Sequence, residues 1–532
     1  MSTTSGQGEV ADASGGLHRS IGWKDAFWMA SGVPALVLFS IGGIAATVGN
    51  PSWVIWILSV SFGFLGAFVY AEIAGLFPSK SGGASVYGAA AWIRYSKFVA
   101  PLSVWCNWLA WTPVLAIGGG LGAGYLLTAL FGADAAINEW RITLVDLGFL
   151  KEELSLRIDA TSITGTIILL LVFAIQHKGI SAAAKVQTII GLAVLIPLLI
   201  VGFVPILSGD VLAENLVPLV PISGAWDIEG TTLFLGGLFI AAWSAYAFET
   251  AICYTSEFRD PSRDTVRAIL AAGAVCILIY TVVPLAFQGF LGVDGILQPG
   301  VEDGSAVAGV MANMVAGGNT IVTRVMVVML FLALTLAIMT SMAGSSRTLF
   351  QGSVDGWLPR FLSHANHHGA PTNAMWTDLV FNLVLLMMSD YLFVLAVSNC
   401  CYLVFNFLNL HAGWIHRIDN ANAHRPWKAP TIMLWIGGFL SFVNAVLLGA
   451  GANVWGKGTL LSAGIAIALI LPVFAWRHYV TDKGEFPDKM LEDLKVGGNP
   501  DLSVRKAGML PYLTLAAGIA VVFISNQIFQ LG

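Results

Sequence analysis

Ala30-Ser31-Gly32-Val33-Pro34 interrupts the first apolar run of the chain, Phe27 to Gly49, where a membrane-spanning helix would be continuous. Inside lipid an unpaired backbone N–H or C=O has no water to bond, so an unwound segment persists only where it lines a buried cavity or touches a ligand. Pro34 suits the start of a second half-helix, because its missing N–H would be an orphan there and its backbone angle is preset. The amides of Gly32, Val33 and Ala35 would then point from a positive helix end into the cavity, a setting for a carboxylate. The alternative is a proline kink whose freed groups neighbouring helices satisfy.

The rest of the chain has the same character. Of its 532 residues 57% are hydrophobic and 11% charged, and the mean hydropathy is +0.78. Runs long enough to span a bilayer, roughly 20 residues each, fall at 27-49, 52-76, 98-131, 158-176, 183-208, 231-254, 268-292, 325-350, 373-389, 391-415, 431-450, 459-476 and 509-530. These thirteen candidates are numbered here as spans 1 to 13. The composition defines a polytopic membrane protein and leaves the net charge of −5 with little to say about partners.

Basic residues near the spans collect on the cytoplasmic side. With the N-terminus inside, 21 of the 26 Lys and Arg fall on inner segments, leaving Arg141, Lys151, Arg157, Arg324 and Lys457 outside. The outer connections at 132-157, 207-230 and 293-319 carry mainly acids, among them Glu152, Glu153, Asp210, Glu302 and Asp303. A plasma-membrane protein with a cytoplasmic N-terminus is expected. Residues 1-24, polar and rich in Gly and Ser, read as a disordered cytoplasmic tail with no signal-peptide pattern. The five cysteines all lie in or beside apolar runs and read as small hydrophobes.

Spans 1 and 6 are the irregular ones, five helices apart, as two inverted five-helix repeats would place them. The expected organisation is therefore 25-208 (spans 1 to 5), 231-415 (spans 6 to 10), 431-476 (spans 11 and 12), a cytoplasmic segment at 479-508 and an extra span at 509-530 that puts the C-terminus outside. Span 6 carries Trp243-Ser244-Ala245-Tyr246-Ala247-Phe248-Glu249 at mid-membrane. A carboxylate at the bilayer centre costs about 2.5–3.5 kcal/mol even on the lenient insertion scale, so Glu249 is either a coupling group or a structural strut between the two broken spans. Trp243 and Tyr246 share a face, as a ligand wall or as bundle packing.

Five stretches, in order and in register, resemble the amino acid/polyamine/organocation permeases. Ala30-Ser31-Gly32-Val33 is similar to that family's Gly-Ser-Gly-Ile break. Tyr70-Ala71-Glu72-Ile73-Ala74-Gly75-Leu76-Phe77-Pro78 with Ser81-Gly82-Gly83-Ala84 resembles its YAELxxxFPxxGGxY segment. Ser256-Glu257-Phe258-Arg259-Asp260-Pro261-Ser262-Arg263-Asp264 resembles its EExxNPxRD motif. Ser345-Ser346-Arg347 with Asp355-Gly356-Trp357-Leu358-Pro359 resembles the end of its eighth span, and Arg425-Pro426-Trp427-Lys428-Ala429-Pro430 its RPFKxP loop. The resemblance covers nearly the whole fold and is closest to bacterial amino acid permeases and antiporters. It implies an all-α polytopic membrane protein with a five-plus-five inverted-repeat fold, broken helices 1 and 6, and additional C-terminal spans.

By the same resemblance an amino acid's carboxylate would meet the amides of Ser31, Gly32 and Val33, and its amine the carbonyls near Trp243, Ser244 and Tyr246. Asn107, Ala110, Trp111 and Ser341 would line the side-chain end. The chain departs from the pattern at three positions: Ala247 replaces the usual Gly, Ser341 stands where arginine/agmatine antiporters have Trp, and Val194 where cationic-amino-acid symporters carry Lys. The implied activity is secondary active transport of an amino acid or related amine by alternating access, as proton symport or exchange. A polyamine antiporter of the same fold and a transporter-like nutrient sensor are the alternatives. No ATP-binding motif, HExxH or other catalytic constellation appears, so neither an enzyme nor a cofactor or nucleic-acid partner is expected. His364, His367 and His368 read as a loop cluster with no metal, and Glu72 and Asp378 as interfacial or partnered acids.

Overall fold

The computed structural model describes residues 17–132, 135–301, 306–456, 458–496, 498 and 501–530. Most of the tail expected at 1-24, with Glu302, Asp303 and Lys457, lies outside the described residues. Ten helices are long and apolar enough to cross a membrane, and eleven when the bent pair forming span 1 is taken as one. Spans 4 and 9 are shorter, Ala160–Gln176 and Thr372–Leu385.

Span 9 ends early for a visible reason. Residues 387–389 are drawn into pairing with a two-stranded antiparallel sheet, β1 (Arg141–Asp146) and β2 (Ser155–Asp159), in the connection between spans 3 and 4. The Arg157 amide donates to the Met387 carbonyl at 2.8 Å and the Ser389 amide to Ser155 at 2.9 Å. This hairpin is a departure from the all-α expectation. It follows from the β-rich runs Ile142-Thr143-Leu144-Val145, in the connection between spans 3 and 4, and Leu156-Arg157-Ile158, which overlaps the expected start of span 4.

Both irregular spans change from α to tighter 3₁₀ geometry part-way along, a change that often marks a hinge. Span 1 runs as Trp23–Met29, a turn at 30–33, a 3₁₀ segment Pro34–Phe39 and Ile41–Val48, with a 42° bend. Span 6 runs as Ile228–Ala245, then Ala247–Ile252 and Thr255–Glu257 in 3₁₀ form, with Tyr246 at the junction. Span 7 (Pro261–Ile296) packs against spans 2 and 5 and the 3₁₀ part of span 6. Span 8 (Thr320–Val354) packs against spans 3 and 5, and span 10 (Tyr391–Asp419) against the first half of span 3 and against span 11.

Buried ion pairs cluster at the end of the bundle that carries the basic loops. Glu257, at the end of span 6, pairs with Arg347 of span 8. Glu72 accepts from both Arg417 and Arg425 and from the Ala429 amide. Lys80, only 1% exposed, pairs with Asp355 at 2.6 Å and with Asp493 at 3.3 Å. Asp493 sits on a short helix, Asp488–Val496, beyond span 12, and also accepts from Ser79 Oγ at 2.7 Å. The same C-terminal segment is tied down further on, where Arg94 donates to the Asp501 carbonyl at 2.5 Å and the Ala507 amide to Asp419 at 3.0 Å. Span 13 (Leu510–Ile528) is held at its far end by Asn526, which donates to Gly449 O at 2.9 Å and to Asn453 Oδ1 at 2.7 Å.

Candidate functional site

The turn at Ser31-Gly32-Val33 and the junction at Tyr246 meet around one hydroxyl. Tyr280 of span 7, fully buried and stacked on Trp56 with ring centres 5.4 Å apart, places its OH 2.7 Å from the Val33 carbonyl and 3.1 Å from the Ser244 carbonyl. A phenol carries one proton, so this donor is shared between the two breaks. Span 8 holds the other side of the turn. Thr340 Oγ1 donates to Met29 O at 2.7 Å and accepts from the Gly32 amide at 3.3 Å, and Gln187 Nε2 of span 5 reaches both Met29 O and Thr340 Oγ1 at 3.3 Å.

The three amides assigned to a carboxylate are all engaged in this arrangement. Besides Gly32, the Ser31 amide donates to Trp28 O at 3.1 Å and the Val33 amide to Ala30 O at 3.2 Å. The reason is local: a 3₁₀-like turn closes its own i to i−3 bonds, so the break is tight instead of open. A carboxylate would take the Gly32 amide by displacing Thr340.

The side-chain end forms a second connected group. Trp243 Nε1 donates to Ala110 O at 3.2 Å and to Ser398 Oγ at 3.1 Å, while Ser398 donates to the same carbonyl at 2.8 Å. Ser341 Oγ donates to Trp111 O at 2.6 Å. Asn107 lies deeper, its Oδ1 accepting from Thr348 at 2.8 Å. All eleven predicted residues, Glu249 included, are buried, Tyr246 being the most exposed at 6%. The arrangement is closed to both sides.

Glu249 stands between these groups. Among the described residues neither carboxylate oxygen has a hydrogen-bond partner, and the same holds for the Trp111 indole N–H and the Tyr402 hydroxyl. Both donors face Glu249 without closing a bond of normal geometry. A water-sized cavity of about 10 Å³, lined by Glu249, Tyr246, Tyr70, Asn406 and Asn444 among others, adjoins it. Asp378 is the opposite case: it accepts from Trp108 Nε1 at 2.8 Å, Thr112 Oγ1 at 2.5 Å and Ser345 Oγ at 2.6 Å, tying spans 3, 8 and 9 together. Among the described residues no group of three or more His, Cys, Asp or Glu comes together as a metal site.

Tyr280, Thr340 and Ser398 escaped the sequence reading. Tyr280 is the one with a usable signal, a phenol in the middle of the run Cys276-Ile277-Leu278-Ile279-Tyr280-Thr281-Val282, since a buried Tyr OH usually needs a partner.

Two irregular helices joined through a buried donor lie inside a bundle that has, among the described residues, at least ten helices long and apolar enough to cross a membrane, the form of a polytopic membrane protein. The amino acid permease family profile matches residues 21–476, and the chain belongs to that family. The chain is 29% identical over 280 residues to the L-methionine/branched-chain amino acid exporter YjeH of Escherichia coli K12, a match covering 52% of this chain and 57% of that protein. It is 22% identical over 372 residues to the branched-chain amino acid permease BcaP of Lactococcus lactis subsp. cremoris, covering 67% of this chain and 74% of that one. Members of the family are transporters and not enzymes.

Proposed function

We propose that this protein moves a neutral, apolar amino acid across the plasma membrane by alternating access, with spans 1 to 5 and 6 to 10 as inverted repeats and the N-terminus in the cytoplasm. The observation that supports the reading is the meeting of the two breaks at Tyr280, whose hydroxyl lies 2.7 Å from the Val33 carbonyl and 3.1 Å from the Ser244 carbonyl, beside a Gly32 amide held only by Thr340 at 3.3 Å. Amides suit a carboxylate and carbonyls an ammonium, so the pair fits an α-amino acid. Ala110, Trp111, Trp243, Tyr246 and Ser341 bound the side-chain end, with Asn107 behind them. A pocket of two indoles, a phenol, a methyl and one hydroxyl favours an apolar side chain. The printed names of the two relatives, which specify L-methionine and branched-chain amino acids, support the same class.

The test is counterflow into liposomes containing the purified protein, with labelled methionine, leucine, isoleucine and valine, under imposed pH, sodium or counter-substrate gradients. Flux of at least one of them is expected, and absence of flux for every amino acid and amine tried would sink the proposal. Glu249 favours a second reading, exchange of amines or polyamines, because among the described residues its buried carboxylate closes no hydrogen bond and has no cation beside it. Efflux driven by putrescine or agmatine, abolished in Glu249→Gln, would select it.

Tyr280→Phe keeps the ring stacked on Trp56 and removes only the shared donor. The Val33 carbonyl keeps the Leu36 amide at 3.0 Å and the Ser244 carbonyl the Tyr246 amide, so what is lost is the one donor common to both breaks, a hydrogen bond worth about 0.5–1.5 kcal/mol. The expected result is net flux falling more than exchange, since a loaded site supplies an ammonium in place of the phenol. Equal losses in both modes would reduce Tyr280 to a structural role.

A further inference from the structure

Span 13 lies beyond the region matched by the family profile and leaves a groove where it meets spans 10 and 11. The groove measures about 510 Å³, within the range of ordinary ligand sites. Leu434, Trp435, Phe439 and Phe442 of span 11 form one wall, Leu510 and Thr514 of span 13 the other. Trp435 and Phe439 are 75% and 68% exposed, so the groove opens on the outer surface of the bundle.

The floor offers a polar ligand almost nothing. His411 Nδ1 accepts from Trp414 Nε1 at 2.9 Å and its Nε2 meets Ser441 Oγ at 2.8 Å, so their polar atoms are spent on one another. One end is different. Arg417 lines the groove there; its Nε and Nη2 are committed to Glu72 and Ala429, while Nη1 has no partner among the described residues and is not enclosed. Glu72 is shared by Arg417 and Arg425, which leaves this cluster with one net positive charge. Lys428 and Lys506, both exposed, precede the groove residues Thr431 and Leu510 by three and four positions.

We propose that this groove is a binding site for an anionic membrane phospholipid, one acyl chain lying between spans 11 and 13 and the phosphodiester headgroup at Arg417, Lys428 and Lys506. An apolar slot ending in a cationic mouth at the basic face of a membrane bundle has the chemistry of a lipid of the cytoplasmic leaflet. A free phosphate would have no use for the slot. A neutral lipid would have none for the mouth.

The test uses the full chain in neutral detergent and native mass spectrometry, titrating phosphatidylglycerol, phosphatidylcholine of the same chains, and glycerol 3-phosphate. Phosphatidylglycerol is expected to bind at least about 25-fold more tightly than phosphatidylcholine, with about fivefold of that preference lost for each lysine removed in Lys428→Ala and Lys506→Ala. Both lysines are exposed, so these variants leave the fold untouched. At Gly438, a groove residue, an added Cβ meets nothing within 4 Å, so Gly438→Leu starts its side chain into open space and is expected to occupy the slot and weaken both phospholipids. Equal affinity for the two lipids, a preference undiminished by loss of both lysines, wild-type binding by Gly438→Leu, or tight binding of glycerol 3-phosphate alone would each overturn the proposal. A protein dimer displaced by no lipid would do so too, assigning the face to a second copy. None of these outcomes bears on the transport reading.

Discussion

Gly32→Ala is expected to cut transport by a factor of about ten to a hundred. A Cβ at this position would lie 2.6 Å from the Leu336 carbonyl oxygen, 2.6 Å from Thr340 Oγ1 and 2.8 Å from Ala337 Cα. Two of the three obstacles are backbone of span 8, so no rotamer change removes the overlap. Overpacking of this kind costs about 1–3 kcal/mol, and each 1.36 kcal/mol is tenfold in a rate or population. In the proposed alternating-access cycle the strain falls on the closed arrangement, where the turn packs against span 8. Counterflow in liposomes measures the loss. Gly124→Ala, where an added Cβ meets nothing within 4 Å, is the control that should stay at the wild-type rate. Wild-type transport by Gly32→Ala would mean that span 1 never packs this closely during the cycle.

Glu257→Gln is expected to be the most destabilising single change at the basic end. Arg347 is 4% exposed, its Nη2 donates to Glu257 Oε1 at 2.9 Å and its Nε to the other carboxylate oxygen, and its guanidinium lies 5.4 Å from the Tyr254 ring centre. The substitution keeps one acceptor oxygen but removes the negative charge, leaving a buried cation with an amide oxygen and the Ala343 carbonyl, 2.9 Å from Nη1, in place of a counter-ion. Breaking a buried pair this way costs about 3–5 kcal/mol, whereas exchanging both partners for apolar residues is often neutral. The check is a thermal melt of Glu257→Gln beside Glu257→Leu/Arg347→Met. The single variant should melt far below the wild type and the double one should recover most of the difference. If both are equally unstable, the pair's charges are not what holds spans 6 and 8 together.

These two sites differ in how far they could be read from the chain alone. Gly32 was legible because Gly and Pro inside an apolar run are costly in lipid and therefore conspicuous. The crowding that makes it intolerant of a methyl was not, because its neighbour Thr340 lies 308 positions away. Glu249 was conspicuous for the same reason of cost, but sequence cannot tell a partnered buried acid from an unpartnered one, and here Asp378 and Glu249 fall on opposite sides of that division. Tyr280 shows the general limit. Its importance comes from two carbonyls on two other spans, and no periodicity within span 7 encodes them. The hairpin at 141–159 was missed because its short strands lie in a connection with no hydropathy signal, and it shortens span 9 by pairing with residues that read as helix.

The clasp of Ser79 and Lys80 onto Asp493 joins residues up to 414 positions apart. Synthesis runs from the N-terminus at about 5–20 residues per second, so Asp493 is made long after the loop it secures, and after spans 1 to 12. Until then that end of the bundle rests on pairs made earlier, Lys80–Asp355, Glu257–Arg347 and Glu72 with Arg417 and Arg425. The basic face is thus clasped by a segment made only after the twelve spans before it, which makes the order of manufacture part of how the protein first reaches its closed form.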